Sequence, residues 1–125
     1  MSDYDDQNIF ARILRGEIPC DTFLETERTL VFRDIHPQAP THLLVIPKGA
    51  YVDFDDFALN ASTDEIVDFN QTAARATELA GVSPTAGGQG YRVIANIGPD
   101  SHQEVPHYHM HILGGRPLGR LVDPK

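Results

Sequence analysis

The sequence predicts an α+β fold in which a long helix covers one face of a β-sheet. Five segments rich in β-branched or aromatic residues predict the strands, namely residues 21–26, 29–35, 41–46, 91–97 and 106–113. The long helix is predicted by an apolar stripe at helical spacing, which consists of Ile66, Phe69, Ala73, Ala76 and Ala80. A chain of 125 residues has the length of one domain. We expect that domain over residues 8–116, between an N-terminal tail of residues 1–7 and a C-terminal tail of residues 117–125.

The N-terminal half is predicted to hold a short helix followed by three strands. The helix covers residues 8–15, where apolar side chains recur at helical spacing until Gly16 ends it. The first two strands flank Glu27 and Arg28 and form a plausible hairpin. Two prolines within residues 36–40 then indicate a turn, because proline cannot donate to a strand ladder.

The long helix has sequence signals at both ends. Ser62 and Glu65 have the spacing of a capping box, in which each side chain satisfies a backbone amide of the other residue. Gly81 stands where helices commonly end in a left-handed conformation. The alanines of the stripe indicate close packing of this helix on the sheet.

Strand alternation divides the side chains of the sheet between an apolar and a polar face. The apolar face holds Leu43, Val45, Val93, Ala95, Ile97, Tyr108, Met110 and Ile112. The opposite face holds His42, Leu44, Arg92, Ile94, Asn96, His107, His109 and His111, and Phe32 and Asp34 alternate with it. The first face suits the long helix, and the second is the candidate functional face.

The charge balance excludes some classes of partner. Acidic side chains outnumber basic ones by 18 to 10, which gives a net charge of −8 and disfavours binding to nucleic acid. No apolar run reaches the roughly 20 residues that span a bilayer, and the acidic N-terminus does not resemble a secretory signal. Cys20 is the single cysteine, so neither an intrachain disulfide nor a cysteine-based zinc cluster can form. We therefore expect a cytoplasmic protein without a membrane partner.

Three histidines occur within five residues, at positions 107, 109 and 111. In a strand, all three imidazoles lie on one face at about 6 to 7 Å spacing. Three interpretations remain open: an exposed polar surface, a metal site shared by two imidazoles, or a site of nucleotidyl or phosphoryl transfer. Strand spacing lets at most two of the three imidazoles converge on one ion, and Glu104 is the one carboxylate close to them in the sequence. We favour the transfer site, and we expect neither a metal nor a cofactor.

The segment from His107 to Leu113 resembles the His-φ-His-φ-His-φ-φ signature of the histidine triad (HIT) superfamily, where φ is an apolar residue. Residues 8–13, 33–42, 44–48 and 113–116 are similar to its histidine triad nucleotide-binding branch. The resemblance implies a HIT-like fold: a five-stranded antiparallel sheet with a long helix and a short N-terminal helix. It also implies a homodimer with a sheet continuous across the interface. The implied activity is that of a purine nucleoside phosphoramidase-like hydrolase, which cleaves nucleoside 5′-monophosphate derivatives at the α-phosphorus without a metal.

The resemblance also implies a role for each site residue. His109 is the expected nucleophile, His107 and His42 support it, and His111 contacts the phosphoryl group. Asp34 is expected to accept the ribose hydroxyls. Asn96 and Gln103 are expected to hold the phosphate region, beside Glu104. The expected apolar slot for the base consists of Ile9, Phe10, Ile13, Phe32, Ile35 and Leu44.

Two positions depart from the pattern of the family. Glu104 stands where well-known members of the branch carry a serine, and His102 adds an imidazole to the same loop. Asn8 and Ala11 stand where some relatives carry the cysteine pair of a structural zinc site, so that site is expected to be absent. The small-molecule partner is expected to be of the purine nucleoside monophosphate type. The alternatives are a dinucleoside polyphosphate hydrolase and a nucleotide-binding module with little catalysis.

Overall fold

A computed structural model describes residues 4–122 of the chain, in which five strands form one antiparallel sheet. The strands are β1 (Thr22–Glu25), β2 (Thr29–Arg33), β3 (Thr41–Pro47), β4 (Tyr91–Ile94) and β5 (Met110–Gly114), and their order in the sheet is β1-β2-β3-β5-β4. The helices are α1 (Ile9–Leu14), α2 (Phe54–Asn60) and α3 (Thr63–Leu79). Short 3-10 turns lie at Pro84–Ala86 and Pro99–Ser101. The predicted α+β fold, with its five-stranded antiparallel sheet, long helix and short N-terminal helix, is confirmed.

Both predicted helices have side-chain caps at their N-termini. The capping box of α3 is complete, since the Glu65 N–H donates to Ser62 Oγ at 3.1 Å and the Ser62 N–H donates to Glu65 Oε1 at 3.0 Å. The cap of α1 is the buried Asn8, whose Oδ1 accepts from the Ala11 N–H at 2.9 Å. Asn8 and Ala11 therefore form a helix cap at the positions where some relatives were expected to carry cysteines.

Helix α2 was not predicted from the sequence. Its N-cap is Asp53, whose Oδ1 accepts from the Asp56 N–H at 2.9 Å. Its Phe57 is 3% exposed and packs against the rings of Phe69 and Tyr108. The helix thereby closes one end of the core that α3 forms with the sheet.

The two faces of the sheet pack against different helices, and alternation predicted that the apolar face would pack against the long helix. The cluster beneath α3 consists of Val31, Leu43, Val45, Phe57, Phe69, Ala73, Ala76, Tyr108 and Ile112. The cluster beneath α1 consists of Phe10, Leu30, Phe32, Leu44 and Ile46. The strand order places β4 at the sheet edge. Because α3 packs across β1, β2 and β3, it leaves Tyr91 and Val93 of β4 exposed.

Strand β5 begins later than predicted. The Tyr108 N–H donates to the Tyr51 carbonyl oxygen at 2.7 Å, outside the ladder that starts at Met110. His107 and His109 therefore precede the strand, although Tyr108 still points into the α3 core. Likewise β2 ends at Arg33 and β4 at Ile94, two and three residues before the predicted ends.

Within residues 4–122, no helix combines the length and the apolar composition that a bilayer crossing needs.

Candidate active site

A cleft of about 580 Å³ lies on the sheet face beside α1, the candidate functional face. Twelve of the predicted site residues line it: Ile9, Phe10, Ile13, Phe32, Asp34, Ile35, His42, Leu44, Asn96, Glu104, His109 and His111. The sheet positions three of the polar side chains, because His42 lies on β3, His111 on β5 and Asp34 just after β2. Strand pairing sets Leu44 and Ile94 on either side of His111. The cleft thus has an apolar part near α1 and a polar part near the histidines.

His109 is held in one tautomer by the backbone. Its Nδ1 lies 2.8 Å from the carbonyl oxygen of His107, which can only accept, so Nδ1 carries the proton. The other ring nitrogen, Nε2, therefore keeps its lone pair. The side chain is 8% exposed, and the Phe10 ring packs edge-on against it at 4.9 Å. This tautomer is the one that an imidazole nucleophile needs.

A second chain of hydrogen bonds fixes His42 and His111. The Gln38 N–H donates to His42 Nδ1 at 3.0 Å, so the proton of the His42 ring is on Nε2. Nε2 lies 2.9 Å from His111 Nδ1 and 3.4 Å from Asp34 Oδ2. His111 Nδ1 accepts the hydrogen bond from His42 Nε2–H, so the proton of the His111 ring is on Nε2, which can donate. Arg116 steadies the turn, because its Nη2 donates to the Gln38 carbonyl oxygen at 3.0 Å.

Burial keeps these imidazoles neutral. It lowers the pKa of His111 to about 4, with the neighbouring His109 and His42 adding to the effect. Burial also lowers the pKa of His109 and of His42, although Asp34 opposes the shift in both. At neutral pH the site therefore offers one lone pair, on His109, and one N–H donor, on His111, and none of these three imidazoles is cationic.

His107 lies behind the cleft and does not line it. The side chain is fully buried, its Nε2 donates to the Pro47 carbonyl oxygen at 2.8 Å, and its Nδ1 lies 2.6 Å from the Tyr4 hydroxyl. Burial lowers the pKa of His107 to about 4. The contribution of His107 to the cleft is therefore its backbone carbonyl, which holds His109.

Asp34 has two partners, one on each oxygen. Oδ1 accepts from the His36 N–H at 2.8 Å, which forms the turn that ends β2, and Oδ2 faces His42. One carboxylate thus both forms the turn after β2 and faces the site.

Gln103 lies away from the cleft, unlike the other predicted nucleotide contacts. Its Nε2 donates to the carbonyl oxygens of Val52 at 2.8 Å and Val105 at 3.2 Å, and its Oε1 accepts from the Gly98 N–H at 3.1 Å. The amide is therefore occupied in holding the loop before His107, and its position does not support the predicted phosphate contact. Asn96, by contrast, lines the cleft.

Several cleft residues were not among the predicted site residues. They are Ile18, Pro19, Cys20, Arg33, His36, Gln38, Ile94, Ser101, His102, Val105 and Leu113. Strand alternation had placed Ile94 on this face, but residues 18–20 lie in a connection without any periodic pattern. His102 has a left-handed backbone with φ of 57°, which is uncommon for a residue other than glycine.

One group of side chains in residues 4–122 has the spacing of metal ligands. The donor atoms of Asp34, His42 and His111 lie within 4.8 Å of one another. A metal ion needs the lone pair of His42 Nε2, but that nitrogen carries the proton because Nδ1 accepts from Gln38. The donor set fits a proton network and does not fit a metal ion without loss of the Gln38 hydrogen bond.

Comparison with known proteins identifies the family. The HIT domain model matches residues 15–118 of this chain. A 13.2 kDa HIT-like protein of Azospirillum brasilense is 54% identical over 119 residues, covering 95% of this chain and 94% of that protein. The purine nucleoside phosphoramidase of Escherichia coli K12 is 40% identical over 121 residues, covering 96% of this chain and 97% of that protein.

A solved structure agrees with this result. The HIT family hydrolase of Legionella pneumophila Philadelphia 1 has a TM-score of 0.80 and 35% identity. The match covers 90% of this chain and 96% of that one. Sequence and structure thus agree over most of the chain, and the protein belongs to the HIT family.

Proposed function

We propose that the protein is a hydrolase of the histidine triad nucleotide-binding branch, which cleaves nucleoside 5′-phosphoramidates or related monophosphate derivatives. The observation that carries this proposal is the tautomer of His109, whose Nε2 lone pair is available while Nδ1–H is held by the His107 carbonyl. The name of the Escherichia coli relative, purine nucleoside phosphoramidase, supports the same activity.

In the proposed first step, His109 Nε2 attacks the α-phosphorus of the substrate. A nitrogen–phosphorus bond to His109 forms while the bond from phosphorus to the leaving nitrogen breaks, and that nitrogen takes a proton from solvent. Solvent can enter the cleft beside Glu104 and His102, because both residues line the cleft and are exposed. The positive charge on the nucleotidyl-histidine is stabilised by the hydrogen bond from Nδ1 to the His107 carbonyl.

In the second step, water attacks the same phosphorus. The bond to His109 breaks, the ring leaves as neutral imidazole, and the water gives up its proton to solvent. The product is the nucleoside 5′-monophosphate. His111 supports both steps, because its Nε2–H can donate to the phosphoryl oxygens as their charge increases.

The rest of the cleft supports binding of a nucleoside. Asp34 is proposed to accept the ribose hydroxyls through Oδ2, whose nearest described partner is His42 at 3.4 Å. The apolar wall of the cleft, which includes Phe10, Phe32 and Leu44, is proposed to hold the purine base.

Assembly and location are part of the same proposal. We infer a homodimer in which β4 of one protomer meets β4 of its partner, since β4 is an edge strand with an exposed apolar face. A cytoplasmic location fits the single cysteine, Cys20, which is free.

The test of the proposed reaction is to trap the intermediate. Adenosine 5′-phosphoramidate labelled at phosphorus is mixed with the protein and quenched at alkaline pH, where phosphohistidine-type bonds survive. We expect label on His109 by peptide mapping, and loss of turnover by at least about a thousandfold in His109→Ala with AMP binding retained.

Other outcomes would decide against this reaction. Tight AMP binding without turnover would indicate a nucleotide-binding module. Faster cleavage of a dinucleoside polyphosphate than of the phosphoramidate would indicate the alternative hydrolase. Turnover in His109→Ala equal to that of the wild type would exclude His109 as the nucleophile.

A further inference from the structure

Tyr4 lies in the segment that the sequence assigned to an N-terminal tail, before the residues that match the HIT domain. Its hydroxyl is 2.6 Å from Nδ1 of His107, and the two rings meet edge-on at 5.7 Å. Within residues 4–122, no other group hydrogen-bonds this nitrogen. The tail therefore reaches the first histidine of the triad.

The direction of this hydrogen bond follows from the other side of the ring. The Pro47 carbonyl can only accept, so the proton of His107 is on Nε2 and Nδ1 must accept from Tyr4. Partial burial raises the pKa of the Tyr4 phenol above its ordinary value, so the hydroxyl keeps its proton at neutral pH. Tyr4 is thus the donor, and both nitrogens of a fully buried imidazole are satisfied.

Without the Tyr4 hydroxyl, both tautomers of His107 would be unfavourable. In the present tautomer, Nδ1 would be a buried acceptor without a donor. In the other tautomer, the Pro47 carbonyl would lose its donor and Nδ1–H would have nothing to donate to. The single tautomer observed for His107 therefore depends on Tyr4 and Pro47 together.

The position of His107 matters for catalysis because its carbonyl holds His109. The carbonyl oxygen accepts from His109 Nδ1 at 2.8 Å, and the Phe10 ring packs against both imidazoles, at 6.3 Å and 4.9 Å. A ring fixed at both nitrogens limits the movement of its own backbone, and so fixes the acceptor on which the His109 tautomer depends.

We propose that Tyr4 is a positioning residue for the nucleophile, acting through His107. This inference rests on the proposed function for the role of His109, but the Tyr4 hydrogen bond can be tested separately. Tyr4 does not line the cleft, so its effect is expected on the chemical step and not on nucleotide binding.

The test is Tyr4→Phe in the full chain, which keeps the ring and removes the hydroxyl. For adenosine 5′-phosphoramidate we expect kcat to fall about tenfold, the factor that corresponds to one net hydrogen bond, with little change in KM. Long-range ¹H–¹⁵N NMR correlation should detect one His107 tautomer in the wild type and a mixture in the variant.

Tyr91→Phe is the matched control, since Tyr91 lies outside the cleft and the substitution removes a phenol hydroxyl while it keeps the β4 backbone that the inferred dimer would pair; kcat, KM and the His107 tautomer should stay unchanged. An unchanged kcat or a single His107 tautomer in Tyr4→Phe would overturn the proposal. If the wild type does not turn over, the proposed function fails, while a tautomer mixture in Tyr4→Phe would still support the positioning of His107 by Tyr4.

Discussion

At the scale of single residues, the chemistry of the cleft depends on backbone atoms. The tautomers of His109, His107 and His42 are set by the carbonyls of His107 and Pro47 and by the Gln38 amide. The sequence predicts which side chains are imidazoles and which share a face. It does not predict their tautomers, because Pro47 lies 60 residues from His107 and meets it only in the folded sheet.

The predicted site contains two carboxylates: Asp34 is proposed to meet the ribose, and Glu104 is the one expected beside the phosphate. Glu104 lines the cleft and is exposed, and its charge partly opposes the lowering of the His109 pKa that burial causes. Loss of this charge in Glu104→Gln should tighten AMP binding about two- to tenfold, because two charges about 4 Å apart repel by about 1 kcal/mol in a water-like dielectric, which is the regime of the exposed Glu104. Titration calorimetry at low and high salt measures the effect, which salt should weaken.

Asp100→Asn is the control for Glu104→Gln. It changes the net charge by the same amount but lies outside the cleft, on the 3-10 turn at Pro99–Ser101. Equal gains in AMP affinity in the two variants would show that the effect of Glu104→Gln comes from net charge alone. Weaker AMP binding in Glu104→Gln would show that Glu104 contacts the ligand favourably.

At the scale of elements, hydrophobic periodicity was sufficient to predict the five strands and α3, but it did not predict α2. The capping box and the apolar stripe of α3 are local signals, and both are present in the structure. Helix α2 spans only seven residues and buries mainly Phe57, so it has no repeated stripe to detect. The start of β5 was misplaced because Tyr108 hydrogen-bonds Tyr51, a contact that depends on the folded path of the chain after β3.

The exposed edge strand β4 leads to a prediction about the oligomeric state. Val93 shares the face of the fully buried Ile112 but is 48% exposed, because α3 packs over β1 to β3 and leaves this end of the sheet uncovered. If β4 pairs with β4 of a second copy, Val93→Glu places like charges near the two-fold axis and should yield a monomer. Light scattering coupled to size exclusion measures the mass.

Leu59→Glu is the control for the dimer prediction. Leu59 is 82% exposed on α2, so its substitution adds the same charge on another element and should leave the mass unchanged. A wild-type protein that runs as a monomer at micromolar concentration, or a dimer that persists in Val93→Glu, would contradict pairing through β4.

At the scale of the whole molecule, the site and the stability of the fold share the same buried histidines. The chain has a net charge of −8, and the proposed function has the cleft hold a phosphate through neutral imidazoles in place of a cluster of cations. Burial maintains this neutrality, so the groups proposed to carry the chemistry also resist protonation. Because the native state excludes these protons, the free energy of unfolding should decrease as the pH falls.

The sign of the pH effect follows from the pKa values in the two states. Burial lowers the pKa of His107 and of His111 to about 4, while an unfolded histidine titrates near 6.5. Below pH 6.5 the unfolded chain binds protons that the native state excludes, so stability is full above that pH and falls as the pH decreases toward 4. The loss of unfolding free energy due to His107 alone is on the order of 3 kcal/mol.

Urea unfolding from pH 7.5 to 5 measures the slope of the unfolding free energy against pH, in a range above the usual titration of carboxyl groups. His111→Asn should flatten it by less than half, since one buried imidazole is gone while His107, His109 and His42, whose pKa values burial also lowers, remain. A free energy of unfolding that stays constant from pH 7 to 5, or an unchanged slope in His111→Asn, would contradict this linkage.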